Sequence, residues 1–229
     1  MRIDKFLSQL KYCTRSNSQS FLKTHSVYAN ETQLMSPRDI IDPVKEKITI
    51  DGHHVYYKEH VHLMMYKPEG YLSANHDQKH PCVVDLLKDP YHRFDFSIAG
   101  RLDLDASGLL ILTTEGAFVH DIISPKKHVH KVYEVMLDKP FNHEHNLYEG
   151  VSILDGHHET YLAKAIAIET DQERVFITID EGKFHQVKRM FQALDYQVLS
   201  LKRIQIGALK LGDLKPGEYI EIQKEDVYD

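Results

Sequence analysis

Gly100-Arg101-Leu102-Asp103-Leu104-Asp105-Ala106-Ser107-Gly108-Leu109-Leu110-Ile111-Leu112-Thr113-Thr114 is the stretch on which the reading of this chain turns. An acidic residue sits in a glycine-bounded turn beside an arginine, and the chain then runs into an apolar strand. A turn seated on a strand edge holds a carboxylate rigidly next to a cation, as nucleophilic or acid–base chemistry needs. The same residue types also make an ordinary surface turn with an Arg–Asp pair, because Asp and Gly favour turns.

Outward from this stretch, strands dominate. His62–Lys67, residues 109–113, Lys131–Leu137, and residues 162–169, 174–180 and 197–207 carry strand patterns, with helices expected after Gly116 and at 184–194. Mostly strand with few helices, and no strict alternation, predicts an α+β domain built on a largely antiparallel sheet. The N-terminal part is different. Ile3, Phe6, Leu7 and Leu10 fall on one face of a helix. A second helix is expected from Ser16, with Gln19 as its capping-box partner, ending near His25. Two short strands follow, Val27-Tyr28-Ala29-Asn30-Glu31 and Lys47-Ile48-Thr49-Ile50-Asp51-Gly52, separated by a loop holding Pro37 and Pro43. So small a unit has a thin core and suits an appended binding module. The expected division is therefore 1–58 and 62–229, with a linker over 57–61.

The chain has 229 residues, 42% hydrophobic and 27% charged, as in a soluble globular protein. No apolar run approaches the ~18 residues of a membrane span, and the first residues lack a signal-peptide core. Cys13 and Cys82 supply neither a disulfide framework nor a zinc quartet, so the cytoplasm is the expected compartment. The net charge is −6, but it is unevenly spread. Arg2, Lys5, Lys11, Arg15 and Lys23 face only Asp4 within residues 1–30. Lys183, Lys188, Arg189, Lys202 and Arg203 face only Asp195 within residues 182–203. Two basic patches on an acidic protein suit a polyanion held at defined places, and solvated lysine faces are the plainer alternative.

Val187, Met190, Phe191 and Leu194 form an apolar stripe at helical spacing. Lys188 flanks that stripe and can run its stem along the buried boundary into a cleft, whereas Arg189 faces solvent and is placed to meet phosphate. On the strand Lys131-Val132-Tyr133-Glu134-Val135, Tyr133 points with the apolar set, as core or as a stacking platform at a cleft. Of 16 histidines, the neighbours His53-His54 and His157-His158 point apart. His128/His130 and His143/His145 share a face but lack a completing carboxylate or cysteine, so no metal site is expected. There is no phosphate-binding glycine loop or serine elbow, so any chemistry is expected to be cofactor-free. A hydrolase using Asp103 and Asp105 is disfavoured on the expectation that the two carboxylates point to opposite faces.

Gly100-Arg101-Leu102-Asp103 with Ser107-Gly108-Leu109-Leu110-Ile111-Leu112-Thr113 resembles the catalytic motif of the RsuA-like pseudouridine synthases. Lys131-Val132-Tyr133-Glu134-Val135 is similar to their tyrosine motif. Glu181-Gly182-Lys183-Phe184-His185-Gln186-Val187-Lys188-Arg189-Met190 resembles their C-terminal basic motif, and Leu201-Lys202-Arg203-Ile204-Gln205-Ile206-Gly207 the strand after it. Residues 1–58 resemble an S4 RNA-binding domain, through Arg2-Ile3-Asp4-Lys5-Phe6-Leu7 and Thr14-Arg15-Ser16. Two departures stand out: His25-Ser26 where a glycine is expected before Val27, and Thr114-Glu115-Gly116 where Asn-Asp-Gly is usual.

The resemblance implies a small S4-like α/β RNA-binding module ahead of a mainly antiparallel-sheet pseudouridine synthase domain. It implies isomerisation of one uridine in ribosomal RNA to pseudouridine, small-subunit RNA favoured, without cofactor or metal. Asp103 would be the nucleophile or charge stabiliser, Tyr133 would stack on the target base, and Lys188 would pair with Asp103 and keep it ionised. The uridine must leave its stack, and Arg101 would fill the vacated space or hold the flanking phosphate. Arg2, Lys5, Arg15 and Ser16 would form the RNA face of the module, and Lys183, Arg189 and Arg203 the rim of the cleft. The expected partner is ribosomal RNA or an assembly intermediate, met by a monomer with no membrane contact. The alternatives are a large-subunit enzyme of the same kind and a non-catalytic ribosome-assembly factor.

Overall fold

The computed structural model describes residues 1–156 and 159–228, which divide into two units. The first comprises Met1–Val61 with Leu87–Asp95, and the second comprises His62–Leu86 and residues from Phe96 onward. The return of 87–95 to the first unit is a departure from the expected 62–229 domain. There Tyr91 and Phe94 pack edge-on against Tyr56, and Arg93 lies over the Tyr12 ring. So short an excursion leaves no periodic signal in the sequence.

In the first unit, helices α1 (Ile3–Gln9) and α2 (Ser18–Thr24) cover a sheet of β1 (Val27–Ala29), β2 (Thr32–Gln33), β3 (Ile48–Ile50) and β4 (His53–His54), ordered β2-β1-β3-β4. Ile3, Phe6, Leu7, Leu10, Leu22, Val27 and Ile48 make its core, so the expected helical stripe is the buried one. The start of α2 differs from expectation. Arg15–Asn17 is a 3-10 turn, and the Ser18 hydroxyl donates to the Arg15 carbonyl at 2.6 Å. Ser16 shares its hydroxyl with Thr14, and Gln19 turns to the Met35 carbonyl, so no capping box forms.

The second unit is built on a nine-stranded sheet of β5 (His62–Lys67), β6 (Ser97–Ala99), β7 (Ser107–Thr113), β8 (Lys131–Leu137), β11 (Ala167–Asp171), β12 (Arg174–Ile179), β13 (Val198–Ile206), β14 (Leu209–Lys210) and β15 (Tyr219–Glu221). The path is β11-β12-β8-β13-β7-β5-β15, with β6 on β7 and β14 on β13. Only β13 and β7 pair parallel among these strands. The sheet is thus mainly antiparallel, as expected. Helix α3 (Gly116–Ile123) buries Phe118 and Ile122 against Met64, Leu109, Ile111 and Ile206. Helix α5 (Gln186–Gln192) is shorter than the expected 184–194; it buries Val187, Met190 and Phe191 of the predicted stripe, while Leu194 lies past its end and is half-buried. The chain crosses β13 at Gly108 so closely that a Cβ there would lie 2.2 Å from the Arg203 carbonyl oxygen.

The single strand expected over 162–169 is two. β10 (Thr160–Ala163) pairs with β9 (Val151–Leu154) in a separate ribbon, and β11 joins the large sheet. The break falls where the Ala165 amide donates to Leu147 of α4 (Glu144–Glu149), 2.9 Å away, and the next amide donates to Thr178. The sequence did not show β2, β4, β6, α4, β9, β14 or β15, all of two to six residues and too short to carry a period. No helix among the described residues is long and apolar enough to cross a membrane.

Candidate active site

Asp103 lies in the loop between β6 and β7, and that loop is fastened along its length. Arg203 of β13 donates to the Gly100 carbonyl at 2.6 Å. The Ser73 hydroxyl donates to the Leu102 carbonyl at 2.8 Å and accepts from the Leu102 amide at 3.0 Å. The Gly70 amide donates to Leu104 at 2.8 Å, and the Lys67 ammonium donates to Ala106 at 2.6 Å. Every one of these bonds goes to backbone, so the loop's shape is set independently of its own side chains and its carboxylate is preorganised. Lys67 is fully buried at the end of β5, and burial pushes its ammonium down to about 8, opposed by the negative charge of Asp103.

The Asp103 side chain is a quarter exposed, at 25%. His185 Nε2 stands 3.2 Å from its Oδ1, and Lys188 Nζ stands 3.5 Å from its Oδ2. Both partners come from α5 and the turn before it, where His185 adopts a left-handed backbone with φ 51°. That turn is held by buried Gln186, which accepts from the Lys183 amide and donates to Glu181. Lys188 therefore does meet Asp103, but it is nearer to Asp105, at 2.5 Å. The Lys188 hydrogen bond draws the Asp105 carboxyl below its ordinary value. The expectation that the two carboxylates point apart is overturned. Leu104-Asp105 is a turn, closed by the Ala106 amide donating to the Asp103 carbonyl, and it brings both carboxylates to one ammonium.

Tyr133, on β8, is 6% exposed and lies on the buried face with Val135, as the alternation predicts. Its hydroxyl accepts from Arg203 Nη1 at 3.3 Å. Together with Asp103, Gly100, Lys131, His185 and Phe184, it lines a cavity of about 660 Å³. That is within the range of small-ligand sites, with an apolar wall and a few convergent charges. Lys131 is also buried in this wall; desolvation first, and then the Arg203 charge, push it down to about 8.

Arg203 was expected on the RNA-binding rim, and the structure corrects this. It is 1% exposed, and its guanidinium donates to the Leu109 carbonyl as well as to Gly100 and Tyr133. Its donors are turned inward, tying the loop of Asp103 to the strand of Tyr133. Arg189 does not stand free toward solvent either. It donates to the carbonyls of Leu154 and Asp155 and lies over the Phe184 ring. Lys183 is exposed, 3.4 Å above the Tyr161 ring, and Arg101 is exposed beside Asp103. In the first unit Lys5, Arg15 and Ser16 are exposed, and Arg2 pairs with Asp4 at 2.7 Å. Lys67, Ser73, Lys131 and His185 were missed as site residues; Lys131 and His185 had a signal, their places inside the tyrosine and basic motifs. His128 pairs with Asp180, and His143 with the Tyr196 hydroxyl; His157-His158 lie outside the described residues. No cluster among the described residues could hold a metal.

A rigid carboxylate flanked by lysine, histidine and tyrosine in a cavity over an antiparallel sheet is what the fold provides, and the comparisons give its class. Residues 61–193 match the family described as RNA pseudouridylate synthase, and the chain belongs to that family. It is 39% identical to the Bacillus subtilis protein named uncharacterized RNA pseudouridine synthase YtzG, over 100% of this chain and 97% of that one. It is 34% identical to the ribosomal small subunit pseudouridine synthase A of Pasteurella multocida, over 99% and 98% of the two chains. A solved structure described as a pseudouridylate synthase shares 32% identity with a TM-score of 0.66, covering 99% of this chain and 98% of its own.

Proposed function

We propose that this enzyme converts one uridine of small-subunit ribosomal RNA to pseudouridine, with Asp103 as its nucleophile or charge stabiliser. The observation that carries the assignment of Asp103 is its carboxylate, fixed at the wall of the 660 Å³ cavity between the Lys188 ammonium and the His185 imidazole. The name of the Pasteurella relative favours the small subunit. The C1′–N1 bond breaks, the base turns in the cavity, and a C1′–C5 bond forms; C5 loses its proton to water and N1 gains one. Lys188 and His185 hold the Asp103 carboxylate in position, at 3.5 and 3.2 Å from its two oxygens, before the glycosidic bond breaks. Tyr133 stacks on the flipped base, and its hydroxyl, which accepts from Arg203, is held in place at the wall of the cavity. The first unit serves as an S4-like RNA-binding module, whose exposed Lys5 and Arg15 meet phosphates. Mapping of pseudouridine in ribosomal RNA from cells lacking the protein tests this. One small-subunit position reverting to uridine is the expected result; reversion in large-subunit RNA, or no change at all, contradicts it.

A further inference from the structure

Phe184 is the exposed side chain that the chemistry above leaves unused. Phe184 is 53% exposed, yet two neighbours pack on its ring. His185 stacks on it with ring centroids 3.9 Å apart and planes inclined by 21°. The Arg189 guanidinium lies 4.9 Å from its centroid and is itself bonded to the Leu154 and Asp155 carbonyls. Gly156 lies under its Cβ, where any larger residue would press at 3.2 Å. Single exposed apolar residues are ordinary. An exposed aromatic clamped on the rim of a cavity, with a cation at its back, is the composition of a stacking platform for single-stranded nucleic acid.

Taking the proposed uridine isomerisation as given, we propose that Phe184 receives the RNA base that flanks the target uridine. Tyr133 is recessed and belongs to the flipped base, whereas Phe184 stands at the rim beside the same cavity. Extrusion of the uridine takes the stacking partner from its neighbour, at a few kcal/mol. The half-exposed Phe184 ring at the rim replaces that partner. Lys183, exposed one residue earlier, supplies a cation for the phosphate that joins the two nucleotides. The platform and the reactive carboxylate are linked through one side chain, since His185 touches Phe184 with its ring and Asp103 with its Nε2. Seating of the flanking base thus registers the RNA against Asp103.

The test uses the full chain with Phe184→Ala, Phe184→Leu and Phe184→Trp, and a short single-stranded RNA carrying 2-aminopurine beside its central uridine. Loss of one stacked base should weaken binding by roughly 5- to 150-fold in the Ala and Leu variants, with kcat within about twofold. The aminopurine quenching seen with the wild type should disappear in both variants and return with Trp. Leu binding as tightly as the wild type would overturn the proposal, because bulk alone would then suffice. So would a fall in kcat at unchanged KM that Trp does not restore, since that marks Phe184 as a prop for His185. Leu keeps most of the volume, and the larger Trp ring can extend into solvent at this half-exposed rim, so both report if Ala fails to fold. Quenching is read without turnover. A wild type that quenches but releases no tritium from C5-labelled ribosomal RNA refutes the isomerase reading alone, and one that turns over without any dependence on Phe184 refutes the platform alone.

Discussion

At the scale of the residue, the site is organised by how one ammonium is divided between two carboxylates. Lys188 is 2.5 Å from Asp105 and 3.5 Å from Asp103. Replacing it by Met removes the cation from both, and turnover should fall on the order of 10²-fold with RNA affinity little changed. Asp105→Asn leaves the ammonium to Asp103, so single-turnover rates should stay within about tenfold of wild type. A loss as deep as that of Lys188→Met would give Asp105 a chemical role. Lys67 makes a second prediction. Its ordinary value of 10.5 is lowered to about 8 in the fold, chiefly by burial. The charged form is therefore disfavoured in the folded protein: the cost is complete below pH 8 and is relieved as pH rises toward 10.5. Wild type should gain urea stability relative to Lys67→Met across that window, and a constant difference would contradict the assignment. Neither Lys67 nor Arg203 was legible in this role from sequence. A count of cations says nothing about which are buried, and both are placed by strand neighbours distant along the chain.

At the scale of the element, the crossing of β7 and β13 holds the site together. Gly108 has φ 108° and its absent Cβ would sit 2.2 Å from the Arg203 carbonyl. Gly108→Ala combines backbone strain with overpacking, each on the order of 1–3 kcal/mol, so Tm should fall on the order of 10 °C. A scan showing no shift would mean that the two strands part more easily than their spacing implies. Elements with a clean period were legible. Lys131–Leu137 alternates and is a strand with those bounds, and α5 buries Val187, Met190 and Phe191 of its stripe. Residues 162–169 read as one strand because nothing in them announces that the Ala165 amide bonds to α4. Short partners decide such breaks, and they have too few residues to show a pattern.

At the scale of the whole molecule, the charge is divided between the units while the net is −6. Lys5, Arg15 and Lys23 are exposed on the first unit, whose role in RNA binding is our proposal. Changing all three to Gln should weaken RNA binding and lower the slope of log K against log salt by about 2–3. An unchanged slope would place the phosphate contacts elsewhere. Charge substitution is a better probe than deletion of residues 1–58, because residues 87–95 pack in the same unit and would lose their partners. The order of motifs along the chain was legible, and so was the change of pattern near residue 60; the return of 87–95 was not, since that segment is apolar only at a few positions. The central claim is that one carboxylate does the chemistry. Tritium release from C5-labelled uridine in small-subunit ribosomal RNA, measured for wild type and Asp103→Asn, tests it most directly. The account predicts that the variant still binds the RNA and releases no tritium; release at the wild-type rate would contradict it.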